Sequence, residues 1–261
     1  MIGIFDSGIG GLTVLKELLA LMPELDYVYL GDTARTPYGT KARDTISRYS
    51  LECADFLVNK NVEILVVACN TASSFALESL RENYSIPIIG TIESASLLAV
   101  QTSKTKRVGV IGTEATINSG VYQNTLKGIS AGIQVSAQAC PLFVPLVEQG
   151  MFSGEIVDKV VELYLQEIKS QEVDTLILGC THYPILKDAI TKFLGKEIAI
   201  VECSKSIAAE VRNLSVSKSG AQGKREYCVT DGVDRFNKLS SLFLGVSNVE
   251  AVKVSLSEII R

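Results

Sequence analysis

Short apolar runs alternate along the chain with longer stretches in which apolar side chains recur every three or four positions. Uninterrupted apolar runs are typical of strands buried on both faces of a parallel sheet, and the longer stretches are typical of helices that cover such a sheet. We therefore predict an α/β fold with doubly wound, largely parallel sheets. The predicted strands are MIGIF (1–5), YVYLG (27–31), EILVVAC (63–69), PIIG (87–90), RVGVIG (107–112), IQVSAQAC (133–140), TLILGC (175–180), IAIVE (198–202) and REYCVT (225–230). The predicted helices cover residues 11–22, 42–59, 74–84, 93–102, 154–170, 184–194 and 233–243.

Two parts of the chain repeat one pattern. IGIFDSGIGG (2–11) and VGVIGTEATI (108–117) both run from a strand into the start of a helix, and each is followed later by a strand ending in cysteine, in VVACNTA (66–72) and ILGCTHY (177–183). We therefore predict two pseudo-symmetric halves, with a ligand site in the cleft where the carboxyl ends of the strands meet. The polar residues at those predicted strand ends are Asp6, Ser7, Cys69, Asn70, Thr113, Cys180, Thr181 and His182.

Composition narrows the class of protein. The chain has 261 residues, 47% of them apolar and 21% charged, which is typical of a globular protein with a large core. A formal net charge of −4 and a pI of about 5.3 argue against nucleic acid or an anionic membrane as the main partner. Residues 1–11 lack the pattern of a signal peptide, and the uncharged stretch 128–147 contains two prolines, which makes it a poor membrane span. We expect a cytoplasmic protein whose six cysteines are free thiols.

The two matching cysteines, Cys69 and Cys180, are the strongest candidates for chemistry. A thiol has an unperturbed pKa of about 8.5, so it can accept a proton when ionised and donate one when protonated. Two thiols on opposite sides of one carbon atom can remove a proton from one face and return it to the other, which inverts that carbon. Helix N-termini predicted after both cysteines would favour the thiolate, and the only histidine, His182, would do so at Cys180 if it were cationic.

Other interpretations of the same residues stay open. A single histidine is often structural, and Asn70 and Thr71 could be no more than a helix cap. The glycines of GIGG (8–11) lack the full dinucleotide-binding pattern, because position 13 is threonine, and the chain has one histidine and no C-x-x-C pair for a metal. A cysteine that ends a buried strand is commonly an inert apolar side chain. We interpret four cysteines in that way: Cys53, Cys140, Cys203 and Cys228.

Six stretches of the sequence match a known family. They are FDSGIGGLTVLKEL (5–18), YLGDTARTPYGTK (29–41), VVACNTASS (66–74), PLFVPLVEQG (141–150), ILGCTHYPIL (177–186) and YCVTDGVDRF (227–236). These stretches resemble the aspartate/glutamate racemase superfamily and, within it, the glutamate racemases. The resemblance implies interconversion of L- and D-glutamate without a cofactor, supply of D-glutamate for peptidoglycan, and a homodimer. It also implies two α/β domains, which we place at residues 1–92 with 206–261 and at residues 93–205.

The resemblance also implies roles for individual residues. Cys69 matches the thiol that acts on D-glutamate, and Cys180 matches the thiol that acts on L-glutamate. Four residues match auxiliary polar groups: Asp6 and His182, which would tune or relay protons at the thiols, and Asp32 and Glu148, which would support them from behind. The residues that match the substrate-binding cradle are Asp6, Ser7, Pro37, Tyr38, Gly39, Asn70, Thr71, Thr181 and His182. Hydroxyl, amide and backbone N–H donors of this kind can hold two carboxylates without adding charge.

Two rival classes of function remain compatible with the sequence. The first is another enzyme of the same architecture, such as an aspartate or hydantoin racemase, or a cysteine-dependent decarboxylase or isomerase. The second is a non-catalytic two-domain binding protein in which Cys69 and Cys180 form a redox pair.

Overall fold

The computed structural model describes residues 1–214, 222–246 and 249–256, and within those ranges the chain forms ten strands and eleven α-helices. The strands are β1 Ile2–Asp6, β2 Tyr27–Gly31, β3 Ile64–Val67, β4 Ile88–Ile89, β5 Arg107–Gly112, β6 Gln134–Ala139, β7 Thr175–Gly179, β8 Ala199–Glu202, β9 Arg225–Val229 and β10 Ala251–Lys253. The helices are α1 Leu12–Leu21, α2 Arg43–Val58, α3 Asn70–Asn83, α4 Ile92–Thr102, α5 Glu114–Asn118, α6 Val121–Ile129, α7 Phe143–Glu148, α8 Glu155–Ser170, α9 Lys187–Leu194, α10 Cys203–Arg212 and α11 Val233–Leu244.

The strands form two separate sheets in which the described pairings are all parallel. The first sheet has the order β10-β9-β2-β1-β3-β4, and the second has the order β6-β5-β7-β8. The second order repeats the β2-β1-β3-β4 part of the first, with β5 in the place of β1 and β7 in the place of β3. This correspondence confirms the predicted α/β fold and the predicted repeat. Strands β9 and β10 return to the first sheet, as expected for the C-terminal segment.

The nine predicted strands are present, each within two residues of its predicted bounds. The tenth strand, β10, escapes prediction because it has three residues and stands half-exposed or exposed at the sheet edge. All seven predicted helices are found, but the stretch 184–194 divides into a 3-10 turn at Tyr183–Leu186 and helix α9. Four further helices, α5, α6, α7 and α10, were missed. They have at most ten residues, too few for a clear helical period.

Burial of apolar strands and helix faces explains why the sheets form. Strands β1, β2, β3 and β7 are buried along their whole length, which requires helices on both faces. Helix α10 packs against α1 beside the first sheet and against α4 beside the second, so one apolar core extends across both halves. The domain boundaries themselves stay a prediction. Among the described helices, none combines the length and the apolar character needed to cross a membrane.

The loop after β1 passes unusually close to the second half at Gly10. A β-carbon added there would overlap the hydroxyl of Thr181 and the imidazole ring of His182. The hydroxyl of Thr13, on the same turn, donates to the carbonyl oxygen of Thr181 at 3.1 Å. Glycine at position 10 is therefore explained by close packing between the halves.

Replacement of Gly10 by alanine should destabilise the protein, because the added methyl group forces the two halves apart. Overpacking of this kind costs about 1–3 kcal/mol, so the midpoint of urea unfolding should fall. The matched control is Gly128→Ala in α6, where nothing lies within 4 Å of the added carbon. The control should leave the midpoint unchanged or raise it, and an unchanged midpoint in Gly10→Ala would contradict the proposed close packing.

Candidate active site

A small cavity of about 30 Å³ lies at the carboxyl ends of the strands, between the two sheets. Residues from both halves line it: Ser7, Thr36, Pro37, Tyr38, Gly39, Cys69, Asn70, Thr71, Thr113, Val144, Gly179, Cys180, Thr181 and His182. The structure thus brings together most of the residues that the sequence singled out. Three lining residues, Thr36, Val144 and Gly179, are not among those predicted from the sequence. Thr113 is predicted as a polar strand end and is not among the predicted ligand-binding residues. Its position after β5, matching Ser7 after β1, was the signal for it.

Cys69 occupies the N-cap position of α3 and is 5% exposed. Its sulfur accepts a hydrogen bond from the backbone N–H of Ala72 at 3.4 Å and lies 3.5 Å from the hydroxyl oxygen of Ser7, to which it donates. The thiol lies at the cavity because Cys69 follows the carboxyl end of β3. The backbone N–H groups at the start of α3 point toward its sulfur. This is the arrangement expected for a thiol that must be stabilised as an anion.

Cys180 follows β7 at the corresponding place in the second half and is 7% exposed. Its sulfur lies 4.0 Å from Nδ1 of His182. The helix expected immediately after it is a 3-10 turn at Tyr183–Leu186, and a regular α-helix begins only at Lys187. The backbone N–H of His182 provides the local stabilisation of the thiolate that the predicted helix N-terminus was expected to supply.

Burial outweighs these local donors in setting the state of both thiols. Desolvation raises the pKa of Cys69 to about 11, with a further contribution from the charge of Asp6. Desolvation likewise raises the pKa of Cys180 well above its usual value. The expected contribution of backbone donors is present at both thiols, from the N–H groups of Ala72 and His182, and burial outweighs it. Both thiols are therefore protonated at neutral pH in this conformation.

Asp6 is fully buried at the end of β1, and its charge raises the pKa of both thiols. One carboxylate oxygen accepts from the backbone N–H of Gly8 at 2.9 Å, and the other accepts from the hydroxyl of Thr181 at 3.3 Å. Burial raises the pKa of Asp6, although His182 and the N–H of Gly8 act in the opposite direction. Asp6 does not itself line the cavity, so contact with a ligand there would require a rearrangement.

His182 connects the cavity to a charged pair outside it. Nε2 of His182 lies 3.3 Å from Oε1 of Glu148, near enough for an ion pair although not in hydrogen-bond geometry. The other oxygen of Glu148 accepts from the guanidinium of Arg235 at 3.1 Å. His182 and Arg235 together lower the pKa of Glu148. Glu148 belongs to α7 and Arg235 to α11, so the pair also joins the second half to the first.

Asp32 lies behind the cavity wall and holds Tyr38, which lines the cavity. Asp32 is fully buried after β2 and accepts hydrogen bonds from the hydroxyls of Tyr38 and Thr230 and from Nε of Arg35. It does not line the cavity. The hydroxyl of Tyr38 donates to Asp32 in this conformation, and its role as a ligand donor stays a prediction. Asp32 anchors the segment that carries Pro37, Tyr38 and Gly39 to the cavity wall.

Hydroxyl groups from the two halves meet at Thr71. Its oxygen lies 3.0 Å from the hydroxyl of Thr113 and 3.1 Å from that of Thr116. Asn70, beside it, has Oδ1 bonded to the hydroxyl of Tyr122, while its buried Nδ2 has no partner. The prediction that Asn70 and Thr71 could serve only as a helix cap is not supported, because the sulfur of Cys69 makes the cap contact.

The remaining four cysteines are buried, and none of them lines the cavity. This agrees with their interpretation as inert side chains. Two of them contact a residue of the site: Cys203 lies 3.6 Å from Oδ1 of Asn70, and Cys53 lies 3.9 Å from the hydroxyl oxygen of Tyr38. In the described part of the chain, no three His, Cys, Asp or Glu side chains are arranged to hold a metal ion.

The arrangement supplies one thiol from each half to a single enclosed space. A sequence model of the Asp/Glu/hydantoin racemases matches residues 9–211, and the chain belongs to this family. Its place within the family follows from full-length similarity: the glutamate racemase of Aquifex aeolicus is 52% identical over 244 residues, covering 94% of each chain. The chain thus belongs to the glutamate racemase branch.

Solved structures agree with this placement. A glutamate racemase isoform of Bacillus anthracis, RacE1, superimposes with a TM-score of 0.95 at 33% identity, covering 98% of this chain and 97% of that one. The glutamate racemase of Francisella tularensis, solved with D-glutamate, superimposes with a TM-score of 0.91 at 36% identity over 98% of each chain. The two-sheet α/β architecture is therefore shared with these glutamate racemases.

The raised thiol pKa can be measured by alkylation. With a pKa of about 11, about one part in ten thousand of Cys69 is thiolate at pH 7. The rate at which iodoacetamide modifies Cys69, followed by peptide mass spectrometry, should rise about tenfold per pH unit from pH 7 to about pH 10. In protein unfolded by guanidinium the same rate should level off near pH ~8.5. A plateau near that pH in the folded protein would show that burial does not control this thiol.

Proposed function

We propose that this protein interconverts L- and D-glutamate, with Cys69 and Cys180 as the two acid/base groups. The observation that carries the proposal is that one thiol from each half lines the same closed cavity in a chain of the glutamate racemase branch. Neither half supplies both thiols, so the facing pair is a product of the repeat. The rival redox pair predicts instead that oxidation removes two free thiols and that no amino acid gains hydrogen from the solvent.

In the proposed reaction from L- to D-glutamate, the Cys180 thiolate removes the α-proton and the Cys69 thiol donates its proton to the opposite face of the same carbon. The C–H bond to one face breaks, a C–H bond to the other face forms, and the two sulfurs exchange protonation states. The reverse reaction uses the same groups in the opposite sense. Since no redox change occurs, the protein's own proton donors and acceptors balance the step.

A thiolate must form in a site that disfavours it. The ammonium group of the bound amino acid places a positive charge beside the α-carbon, and opposite charge favours the ionised form of a nearby acid. Asp6 and His182 are the candidate proton acceptors, because His182 lies beside Cys180 and the charge of Asp6 acts on both thiols. Burial raises the pKa of Asp6, which favours its protonated form and suits a group that accepts a proton.

The cavity has the donors that an amino acid with two carboxylates needs. Ser7, Asn70, Thr71 and Thr181 present hydroxyl or amide groups without a positive charge. We infer that no cofactor takes part, so stabilisation of the carbanion depends on exclusion of water and on hydrogen bonds that strengthen as charge develops. Dialysis against a chelator should therefore leave activity unchanged.

Substrate entry requires the cavity to open. Its volume of about 30 Å³ suits a few water molecules and is too small for glutamate. A neighbouring pocket of about 380 Å³ shares Thr36, Pro37, Gly39, Thr113 and Val144 with the cavity. We propose that glutamate enters from this pocket as the two halves separate, and that they close again before proton transfer.

We further propose that the protein works in the cytoplasm as a homodimer and supplies D-glutamate for peptidoglycan synthesis. Free buried thiols and a net charge of −4 support the location, and membership of the glutamate racemase branch supports the role. We also keep the domain assignment, residues 1–92 with 206–261 and residues 93–205, as a proposal supported by the strand content of the two sheets. Light scattering during size exclusion measures the oligomer directly.

Incubation with L-glutamate in D₂O tests the proposed reaction. Optical rotation should decay to zero, and the α-proton should be replaced by deuterium at a comparable rate, because the thiols exchange with solvent. L-Aspartate is the matched control and should show neither change at the same enzyme concentration. Faster racemisation of aspartate than of glutamate would reassign the substrate, and deuteration of neither amino acid would remove the proposed activity.

Replacement of each thiol by serine tests the facial assignment. A hydroxyl is a far weaker base than a thiolate, so Cys69→Ser and Cys180→Ser should each reduce racemisation to below about a thousandth of the original rate. A glutamate analogue with a leaving group on the β-carbon needs only α-deprotonation to eliminate. Cys69→Ser should therefore retain elimination from the L-analogue, and Cys180→Ser should retain it from the D-analogue.

Cys228→Ser is the control for this pair, since Cys228 is buried away from the cavity. It should racemise glutamate within about threefold of the unaltered protein. If both active-site variants kept elimination from the same enantiomer, the assignment of faces would be wrong. Normal racemisation by either of them would rule out the two-base mechanism.

A further inference from the structure

Three buried side chains from distant parts of the chain meet beside the cavity: Asn70, Tyr122 and Cys203. The hydroxyl of Tyr122 donates to Oδ1 of Asn70 at 2.6 Å and lies 3.2 Å from the sulfur of Cys203. The exposed fractions are 3% for Asn70, 0% for Tyr122 and 4% for Cys203, so solvent does not compete for these contacts. Asn70 begins α3 in the first half, whereas Tyr122 lies on α6 in the second.

The Asn70 amide is satisfied on one side only. Its oxygen accepts from Tyr122, but its Nδ2 is buried and has no partner, in a residue that lines the cavity. A buried donor without a partner is energetically unfavourable. A carboxylate oxygen of a bound amino acid would supply the missing acceptor, since each amide nitrogen carries two donors.

We propose that Tyr122 is a positioning residue for the reaction, and that its hydroxyl holds the Asn70 amide with Nδ2 turned into the cavity to bind a substrate carboxylate. This inference rests on the proposed function and adds a residue that touches neither the substrate nor the thiols. Tyr122 is not a cavity-lining residue, and it acts through Asn70 alone.

The environment of Tyr122 explains why the amide keeps one orientation. Turning the amide by half a rotation would place Nδ2 against the tyrosine hydroxyl and leave the carbonyl oxygen facing the cavity, where it would repel a carboxylate. The sulfur of Cys203 lies 3.3 Å from the carbonyl oxygen of Leu178 as well as beside the tyrosine. The sulfur therefore lies between the hydroxyl of Tyr122 and strand β7. The hydroxyl of Tyr122 and the thiol of Cys203 both donate to Oδ1 of Asn70, at 2.6 Å and 3.6 Å. The two donors converge on the amide oxygen, which favours the orientation that leaves Nδ2 available to an anion.

Removal of this one hydroxyl in Tyr122→Phe tests the inference with little change in volume. We expect kcat/KM for glutamate to fall about tenfold in both directions, mainly through KM, because a bond to a carboxylate is made in the ground state as well as in the transition state. The affinity for D-glutamate, measured by calorimetry, should fall by a similar factor. Tyr27→Phe is the matched control, because it removes another buried hydroxyl, one that donates to the carbonyl oxygens of Leu18 and Met22. It should leave all three values within about twofold.

A double-mutant cycle with Asn70→Ala separates positioning from a general loss of structure. If Tyr122 acts through Asn70, Tyr122→Phe should have little effect, below about twofold, once the amide is gone. A structural defect would lower activity equally in both backgrounds. Losses that multiply in the double variant, or unchanged kinetics in Tyr122→Phe, would overturn the inference.

The double-mutant cycle measures both the affinity for D-glutamate and the rate of racemisation. Failure of the proposed function can therefore be distinguished from failure of the proposed role of Tyr122. Unaltered protein that binds D-glutamate without racemising it contradicts the proposed function, while the affinities of the four proteins still decide the role of Tyr122. Racemisation by unaltered protein together with multiplying losses contradicts only the inference about Tyr122.

Discussion

The close approach of the two halves across the cavity is the constraint on which the rest of the site depends. Gly10 allows the first half to touch Thr181 and His182, and the hydroxyls of Thr71 and Thr113 meet on another side of the same space. Because each half supplies one thiol, neither half forms a complete site alone. The contacts between the halves therefore determine whether both sulfurs can face one carbon atom.

Burial has two opposed effects in this site. It excludes water, which strengthens every hydrogen bond to a charge that develops during the reaction. It also raises the pKa of Cys69 and Cys180, which favours the protonated thiols. In the proposed mechanism, the ammonium group of the bound amino acid offsets part of this effect. A buried carboxyl, Asp6, and a histidine next to Cys180 lie close enough to take part in the ionisation of a thiol.

A surrounding layer of polar contacts holds the groups that line the cavity. Asp32 holds the hydroxyl of Tyr38, Glu148 lies against His182, and Tyr122 holds the amide of Asn70. The contacts of Glu148 with His182 and of Tyr122 with Asn70 join residues that are far apart in the sequence. Each of the three contacts restricts the orientation of a side chain that could otherwise adopt several. Precise placement therefore costs little entropy when the ligand binds, because most of the ordering is complete after folding.

The sequence by itself determined the α/β class, nearly all of the strands and the two cysteines, because apolar runs and a repeated strand end are local patterns. It also indicated Asp6, Asn70, Thr71 and His182 through their places beside those strand ends. Tertiary structure alone decided that the hydroxyl of Tyr38 donates to Asp32, that Cys203 contacts Asn70, and that Tyr122 donates to the amide of Asn70. It also decided the net pKa of the thiols, since desolvation depends on every atom that surrounds a group. No local pattern records which side chains from distant segments will share one buried space.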